Sequence, residues 1–278
     1  MHARVIAEAV QRALPLAATR LRPDVRVAME EAVSSESSER ARHILGQILE
    51  NDRIAQEDSV PVCQDTGTVW VWVELGEGEC LEGDLQSAVN AAVATAYRQA
   101  ALRMSVATDA LWDRSNTGDN TPAFLDITQR EGAGARVHVM LKGGGSDNSS
   151  ALAMLDPSEG VEGVKRFVLE TVTANATGAC PPLLVGVGVG GTFDTVGKIA
   201  KRSLLREIGK PARTAQATDL EGKLLASINA TGIGPAGLGG DTTALAVHVE
   251  TAPSHIAALP VAVNMGCCAV RSVSVDVG

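Results

Sequence analysis

The residues of this chain best suited to chemistry stand side by side in Pro61–Gly67, PVCQDTG, where Cys63, Gln64 and Asp65 offer a thiol, an amide and a carboxylate in succession. A helix cannot present three neighbouring side chains to one point, because residues one and two apart do not share a face. A loop can. Polar ENDRIAQED precedes the motif and the apolar alternation TVWVWVEL follows it, so the motif is expected in a loop at the entrance to a strand.

Other reactive side chains stand in similar settings. Cys180 precedes two prolines, which cannot continue a helix, and Cys267 and Cys268 follow the short apolar run Leu259 to Val263. Buried cysteines that act as small hydrophobes usually sit inside helices or strands. Cys80, in GEGECLEG, reads as a bystander. Three loop thiols suit a metal better than a disulfide, although their wide separation is unlike the short spacing of zinc fingers or ferredoxins and identifies no centre by itself. Three thiolates can hold three irons of a cubane cluster and leave the fourth open as a Lewis acid. His255 follows Pro253 in a loop; such a histidine is more often a surface or capping residue, a reading that the loop thiols weaken.

Stepping outward, the elements that must carry these residues are legible from periodicity. Residues 1 to 57 read as helical, with Ala41, Ile44, Leu45, Ile48 and Leu49 at helical spacing. Val69, Val71 and Val73 alternate with Trp70 and Trp72, a strand expected to be covered on both faces. A helix starts near Asp84 as its N-cap and buries Leu85, Val89 and Val93. Arg103 falls at or near its end, where complementing the helix dipole is the plain alternative to a binding role. SNTGDNTP is turn chemistry. A strand over 136–141 leads into KGGGSDNSSAL, a glycine cradle with a helix expected after it, able to aim backbone N–H groups at an anion but lacking the Gly-Lys-Ser/Thr ending of a nucleotide-binding loop. Further strands are expected at 183–189, 244–250 and 259–263 and a helix at 161–172. The result is a mixed α/β fold, taken as one domain over 1–278 with its helical segment at the N-terminus.

Composition sets limits. At 278 residues with 45% hydrophobic content the chain can bury a sizeable core, and with 3% aromatics that core must be aliphatic. A formal charge of −9 disfavours nucleic acid and anionic membranes as partners, so an anionic substrate would need a local cationic pocket. Five cysteines, with no signal peptide or spanning segment in view, point to a reducing cytoplasm. Gly186, Gly188 and Gly191 satisfy a dinucleotide fingerprint formally, but the acidic residue due about 20 positions later at the end of a second strand is missing.

Taken together, PVCQDTG, LRMS, NTGDNTPA, KGGGSDNSSAL, ACPPLLVGVGVGGT, GIGPAGLGGDTTAL and the run APSHIAALPVAVN followed by cysteine and Arg271 resemble the α subunit, equivalently the N-terminal domain, of class I iron–sulfur fumarate hydratases and the related L-tartrate dehydratases. The resemblance runs in order from about Ile44 to Arg271. It implies an oxygen-sensitive 4Fe-4S cluster held by Cys63, Cys180 and Cys267. Cys267 is preferred to Cys268 because the family's third cysteine precedes an arginine by four positions, as Cys267 precedes Arg271. The resemblance further implies that Gln64 and Asp65 contact substrate, that Arg103 and the backbone of Gly144 or Gly145 hold substrate carboxylates, and that an Asp65–His255 pair protonates the departing hydroxyl. The activity implied is the hydration of fumarate to L-malate, a step of the tricarboxylic acid cycle, with L-tartrate dehydration as the alternative. A β subunit, in an α2β2 assembly, is implied to supply the base. Two readings of other classes are a non-catalytic dicarboxylate-binding module and an NAD-dependent oxidoreductase.

Overall fold

A computed structural model describes all of residues 1–278. In chain order the elements are α1 (Ala3–Ala18), α2 (Pro23–Ser35), α3 (Glu39–Asp58), β1 (Thr68–Gly76), α4 (Leu85–Gln99), β2 (Phe124–Arg130), β3 (Ala135–Lys142), α5 (Gly144–Asn148), β4 (Ala151–Leu155), α6 (Gly160–Asn175), β5 (Leu183–Gly191), α7 (Val196–Ser203), α8 (Ala215–Asn229), β6 (Ala244–Ser254), β7 (Leu259–Gly266) and β8 (Arg271–Val277). This is a mixed α/β fold with a helical N-terminal segment. The chain forms two compact units: Met1–Arg22, Asn51–Gly144 and Arg271–Gly278 make one, and Pro23–Glu50 with Gly145–Val270 make the other.

The first unit is a four-stranded sheet in the order β2-β1-β3-β8, with β1 and β2 parallel and the other neighbours antiparallel. Alternation explains its core. Val69, Val71 and Val73 of β1, with Val137, Val139 and Leu141 of β3, point to one face and meet Ile6, Val10 and Leu14 of α1 and Val89, Val93 and Tyr97 of α4. Asp84 caps α4 by accepting the N–H of Ser87, as its position ahead of the apolar stripe predicts. The opposite face carries an aromatic row in which Trp70 stacks on Trp72 and on Phe124, with ring centroids 5.8 and 4.7 Å apart. Trp72 is buried and Trp70 half-buried, so β1 is covered on both faces as expected, while Phe124 on the neighbouring edge strand is exposed.

The second unit is also a four-stranded sheet, β4-β7-β5-β6, with β5 parallel to β6 and antiparallel to β7. Val185 and Val187 of β5, with Val247, Val249, Val261 and Val263, pack under Val164, Val168 and Val172 of α6 and Leu224 and Ile228 of α8. The other face of β5 is glycine, and that is what lets α7 lie on it. A side chain at Gly186 would come within 2.3 Å of the Ala200 carbonyl, and one at Gly188 within 2.6 Å of the Val196 carbonyl. The formal dinucleotide fingerprint is therefore a helix-packing surface inside a strand rather than a phosphate turn between strand and helix. The helix expected after the glycine cradle is a single turn, α5, and the chain then enters β4 instead. At the other end of this unit the buried Glu36 carboxylate, beside α2, accepts from the N–H groups of Asp241 and Thr242 and from the Thr242 hydroxyl, tying the glycine-rich 232–243 loop in place.

Candidate active site

In the first unit the Cys63-Gln64-Asp65 turn is the loop the sequence predicts, delivered to the start of β1. Asp65 is its fixed point. Oδ2 accepts the N–H of Gly144 at 2.8 Å, while Oδ1 accepts the N–H of Gly67 at 3.0 Å and the hydroxyl of Ser105 at 3.4 Å. The approach is possible because Gly67, at φ +73°, carries no side chain; a Cβ there would stand 2.4 Å from the Lys142 carbonyl, whose residue pairs with Thr68 across β1 and β3. Cys63 is half-buried with Sγ 3.6 Å from Gln64 Oε1, and Gln64 is exposed.

Three buried side chains hold this turn from behind; the sequence reading gave Tyr97 and Asn120 no role and used Arg271 only to place Cys267. The Tyr97 hydroxyl, from α4, reaches the carbonyls of Thr66 at 3.1 Å and Gly67 at 3.3 Å, and burial pushes its phenol above the ordinary tyrosine range. Asn120, in the left-handed region at φ 61°, donates to the Gly67 carbonyl at 3.1 Å and accepts from Ser105 N–H at 2.7 Å. Arg271 donates through Nη1 to the Asp65 carbonyl at 2.6 Å. Asn120 reads in sequence as a turn residue, and only the tertiary contacts reveal what Tyr97, Asn120 and Arg271 hold.

Arg103 lies past the end of α4, whose last-turn cation is Arg98, so the dipole reading belongs to that neighbour. The hydroxyl of Thr66 holds the Arg103 carbonyl and its side chain is exposed. It begins an excursion from 102 to 123, closed by a bridge between Ala107 and Asn116. At the tip Asp109 Oδ1 accepts the N–H groups of Leu111 and Trp112, and the Trp112 side chain is 86% exposed.

In the second unit Cys180 is exposed in a left-handed turn at φ 55°, just before Pro181, and its carbonyl accepts the N–H of Cys268 at 3.0 Å. That bond brings the turn of Cys180 against the turn that carries Cys267 and Cys268. Gly145 leans on the same region, since a Cβ there would stand 2.8 Å from the Gly178 carbonyl. Behind the cradle Asp147 pairs with the buried Lys201 at 3.0 Å and accepts from Asn264 at 3.2 Å; desolvation, opposed by Asp147, holds the Lys201 ammonium below the usual lysine range. His255 is exposed, and its Nδ1 accepts the N–H of Ala257 at 3.1 Å. Cys80 lies exposed in its turn, its carbonyl bound by the N-terminal ammonium at 2.7 Å.

The structure thus joins Asp65 to the Gly144 backbone, and the turn of Cys180 to that of Cys267. It gathers no group of three or more His, Cys, Asp or Glu side chains into a metal-binding set, so the meeting of three thiols expected from the sequence is not displayed. None of the five cysteines forms a disulfide. The residues nonetheless fit an anionic thiolate-bound group in their chemistry: loop thiols, and beside the Cys63 turn a guanidinium that is 2% exposed and whose buried Nε has no hydrogen-bond partner.

The profile of the family described as Fumarate hydratase (Fumerase) matches residues 7–276. A protein of Methanocaldococcus jannaschii described as putative L(+)-tartrate dehydratase subunit alpha is 43% identical over 264 residues, 92% of this chain and 91% of the relative. The L(+)-tartrate dehydratase subunit alpha of Escherichia coli (strain K12) is 34% identical over 271 residues, 96% of this chain and 88% of its own length. A match that spans almost the whole chain, and includes every loop described above, places this chain in the fumarate hydratase (Fumerase) family.

Proposed function

We propose that the chain is the α subunit of an iron–sulfur hydro-lyase that interconverts a four-carbon 2-hydroxy dicarboxylate and its dehydrated product. Fumarate and L-malate are the first reading of the resemblance, which covers both fumarate hydratases and L-tartrate dehydratases. L-tartrate is the second reading, favoured by the names of the relatives. The observation that carries the proposal is the Asp65 carboxylate, oriented by two backbone N–H groups and a hydroxyl one residue from Gln64 and two from Cys63.

Cys63, Cys180 and Cys267 would hold a 4Fe-4S cluster, which when bound supplies a Lewis acid for the substrate hydroxyl and one carboxylate. The rest of the work falls to side chains and backbone. Arg103, exposed at the base of its loop, takes a substrate carboxylate with its two-pronged fork. Gly145 offers a backbone N–H to the same end, and Gly144 a second if the carboxylate displaces Asp65 from it. Gln64 orients the substrate through its exposed amide. His255, as the imidazolium, gives a proton to the departing hydroxyl so that water leaves and the neutral ring remains, and Asp65 serves as the carboxylate of that acid pair. The proton on the neighbouring carbon is far less acidic than any side chain, so its removal needs charge stabilisation on the adjacent carboxylate by cationic groups. The base that removes it, and further cationic contacts, come from a β subunit.

The experiment is anaerobic purification of the chain alone and together with its companion subunit, followed by iron and sulfide analysis and assays with fumarate, L-malate and L-tartrate. Hydratase or dehydratase activity that requires both chains and about four irons per pair is the expected result. Dicarboxylate binding without iron or turnover would establish the binding-module alternative instead.

A further inference from the structure

We propose that Arg271 is a positioning residue for Asp65: it fixes the direction of the carboxylate by gripping the main-chain carbonyl of the same residue. The inference deepens the hydro-lyase reading, on which it rests for the use to which Asp65 is put. Arg271 is the first residue of β8 and pairs with Leu141 at the end of β3, the point from which the chain runs into Gly143 and Gly144. From there Nη1 donates to the Asp65 carbonyl at 2.6 Å. Fixing that peptide fixes the Cα–Cβ direction of Asp65, so that the same side chain can accept from Gly67 on one oxygen and Gly144 on the other.

Gly143 is shaped to this arrangement. A Cβ on it would stand 3.2 Å from Asp65 Oδ2 and 3.4 Å from Arg271 Nη2, so its missing side chain leaves room for both groups at once. The arrangement is costly in isolation. Arg271 is 2% exposed and its Nε is buried with no hydrogen-bond partner, where an apolar residue of similar length would fill the space without burying a charge. A cation kept at such a site, with one strong bond directed at the backbone of Asp65, is explained by orientation and not by packing.

The test uses Arg271→Lys, Arg271→Met and Arg271→Ala, each as the apo chain and as the iron-reconstituted complex with the companion subunit. In the apo chain, amide hydrogen exchange at Gly67 and Gly144 reads the two bonds to Asp65 directly. It should quicken about tenfold or more in Arg271→Met while strand amides at Val185 and Val263 keep their protection. In the complex, kcat should fall about 100-fold, the scale expected for a misplaced catalytic group, with KM changed less than about threefold and iron content near that of the parent. Guanidinium ion at millimolar concentration should restore part of the lost kcat in Arg271→Ala. If Arg271→Met does not fold, Arg271→Lys decides, because it keeps the charge and loses the fork; it should keep its melting temperature within a few degrees and lose at least about tenfold in kcat. Parent-like exchange at Gly67 and Gly144, or parent-like kcat, in the variant that folds would overturn the proposal, as would a kcat loss that only follows lost iron. A parent protein without iron or turnover would instead overturn the hydro-lyase reading and leave the exchange measurement able to decide the role of Arg271.

Discussion

Asp65 shows how much one residue can be made to do by its surroundings. Both carboxylate oxygens accept backbone N–H groups, so Asp65→Asn must turn an NH2 group against a donor at Gly67 or Gly144. The expected outcome is a stability loss of about 1–3 kcal/mol in denaturant titrations and a kcat lower by about 10²–10⁴, with iron content retained. Lys201 makes a prediction of opposite origin. Burial lowers its pKa in the folded chain, so the unfolded chain binds more protons between the folded and unfolded values. The penalty is complete below the folded pKa and vanishes as pH rises through the unfolded value near about 10.4. Relative to Lys201→Met, the parent should therefore gain stability between pH 7 and pH 10, read as converging or crossing urea midpoints; a constant difference would count against it. The loop that carries Cys63, Gln64 and Asp65 was legible because three unlike reactive groups in a row have no structural use in a helix. The contacts of Tyr97 and Arg271 were not, because what matters in each is a hydrogen bond to backbone distant in sequence.

Elements were easier to read than their edges. The strands at β1, β3, β5, β6 and β7 and the N-terminal helices follow from strong periodicity. The reading passed over β2 and β4, both lying at sheet edges and half-exposed, where polar and apolar positions alternate weakly. β8 is likewise absent from the sequence reading, although RSVSVDV alternates cleanly. The glycines of β5 were the misleading signal: their spacing matches a cofactor turn, but their cause is the approach of α7. Gly188→Ala should push a methyl against the Val196 carbonyl and Ala200 amide, at 2.6 and 2.7 Å, and lower stability by about 1–3 kcal/mol in a thermal or urea scan. Gly222→Ala, in α8 with open space around it, is the control and should stabilise by about 0.5–1 kcal/mol.

At the scale of the whole molecule, each unit has its own aliphatic core beneath a four-stranded sheet, as a chain with 3% aromatics requires. No helix is long and apolar enough to cross a membrane. The division into two units was not legible, because α3 runs from one into the other without a linker and the glycine cradle itself contains the third of the four crossings. The exposed tip of the 102–123 excursion has a practical corollary. The chain has three tryptophans; two are stacked in the aromatic row of the first sheet, and Trp112 stands almost wholly in solvent on the segment that starts at Arg103. Iodide should quench that one indole selectively, giving a red-shifted difference spectrum absent in Trp112→Phe. If a companion chain docks on this segment, or Arg103 takes a dicarboxylate as proposed, the quenching should change, so Trp112 offers an optical test of the proposed site that needs no label.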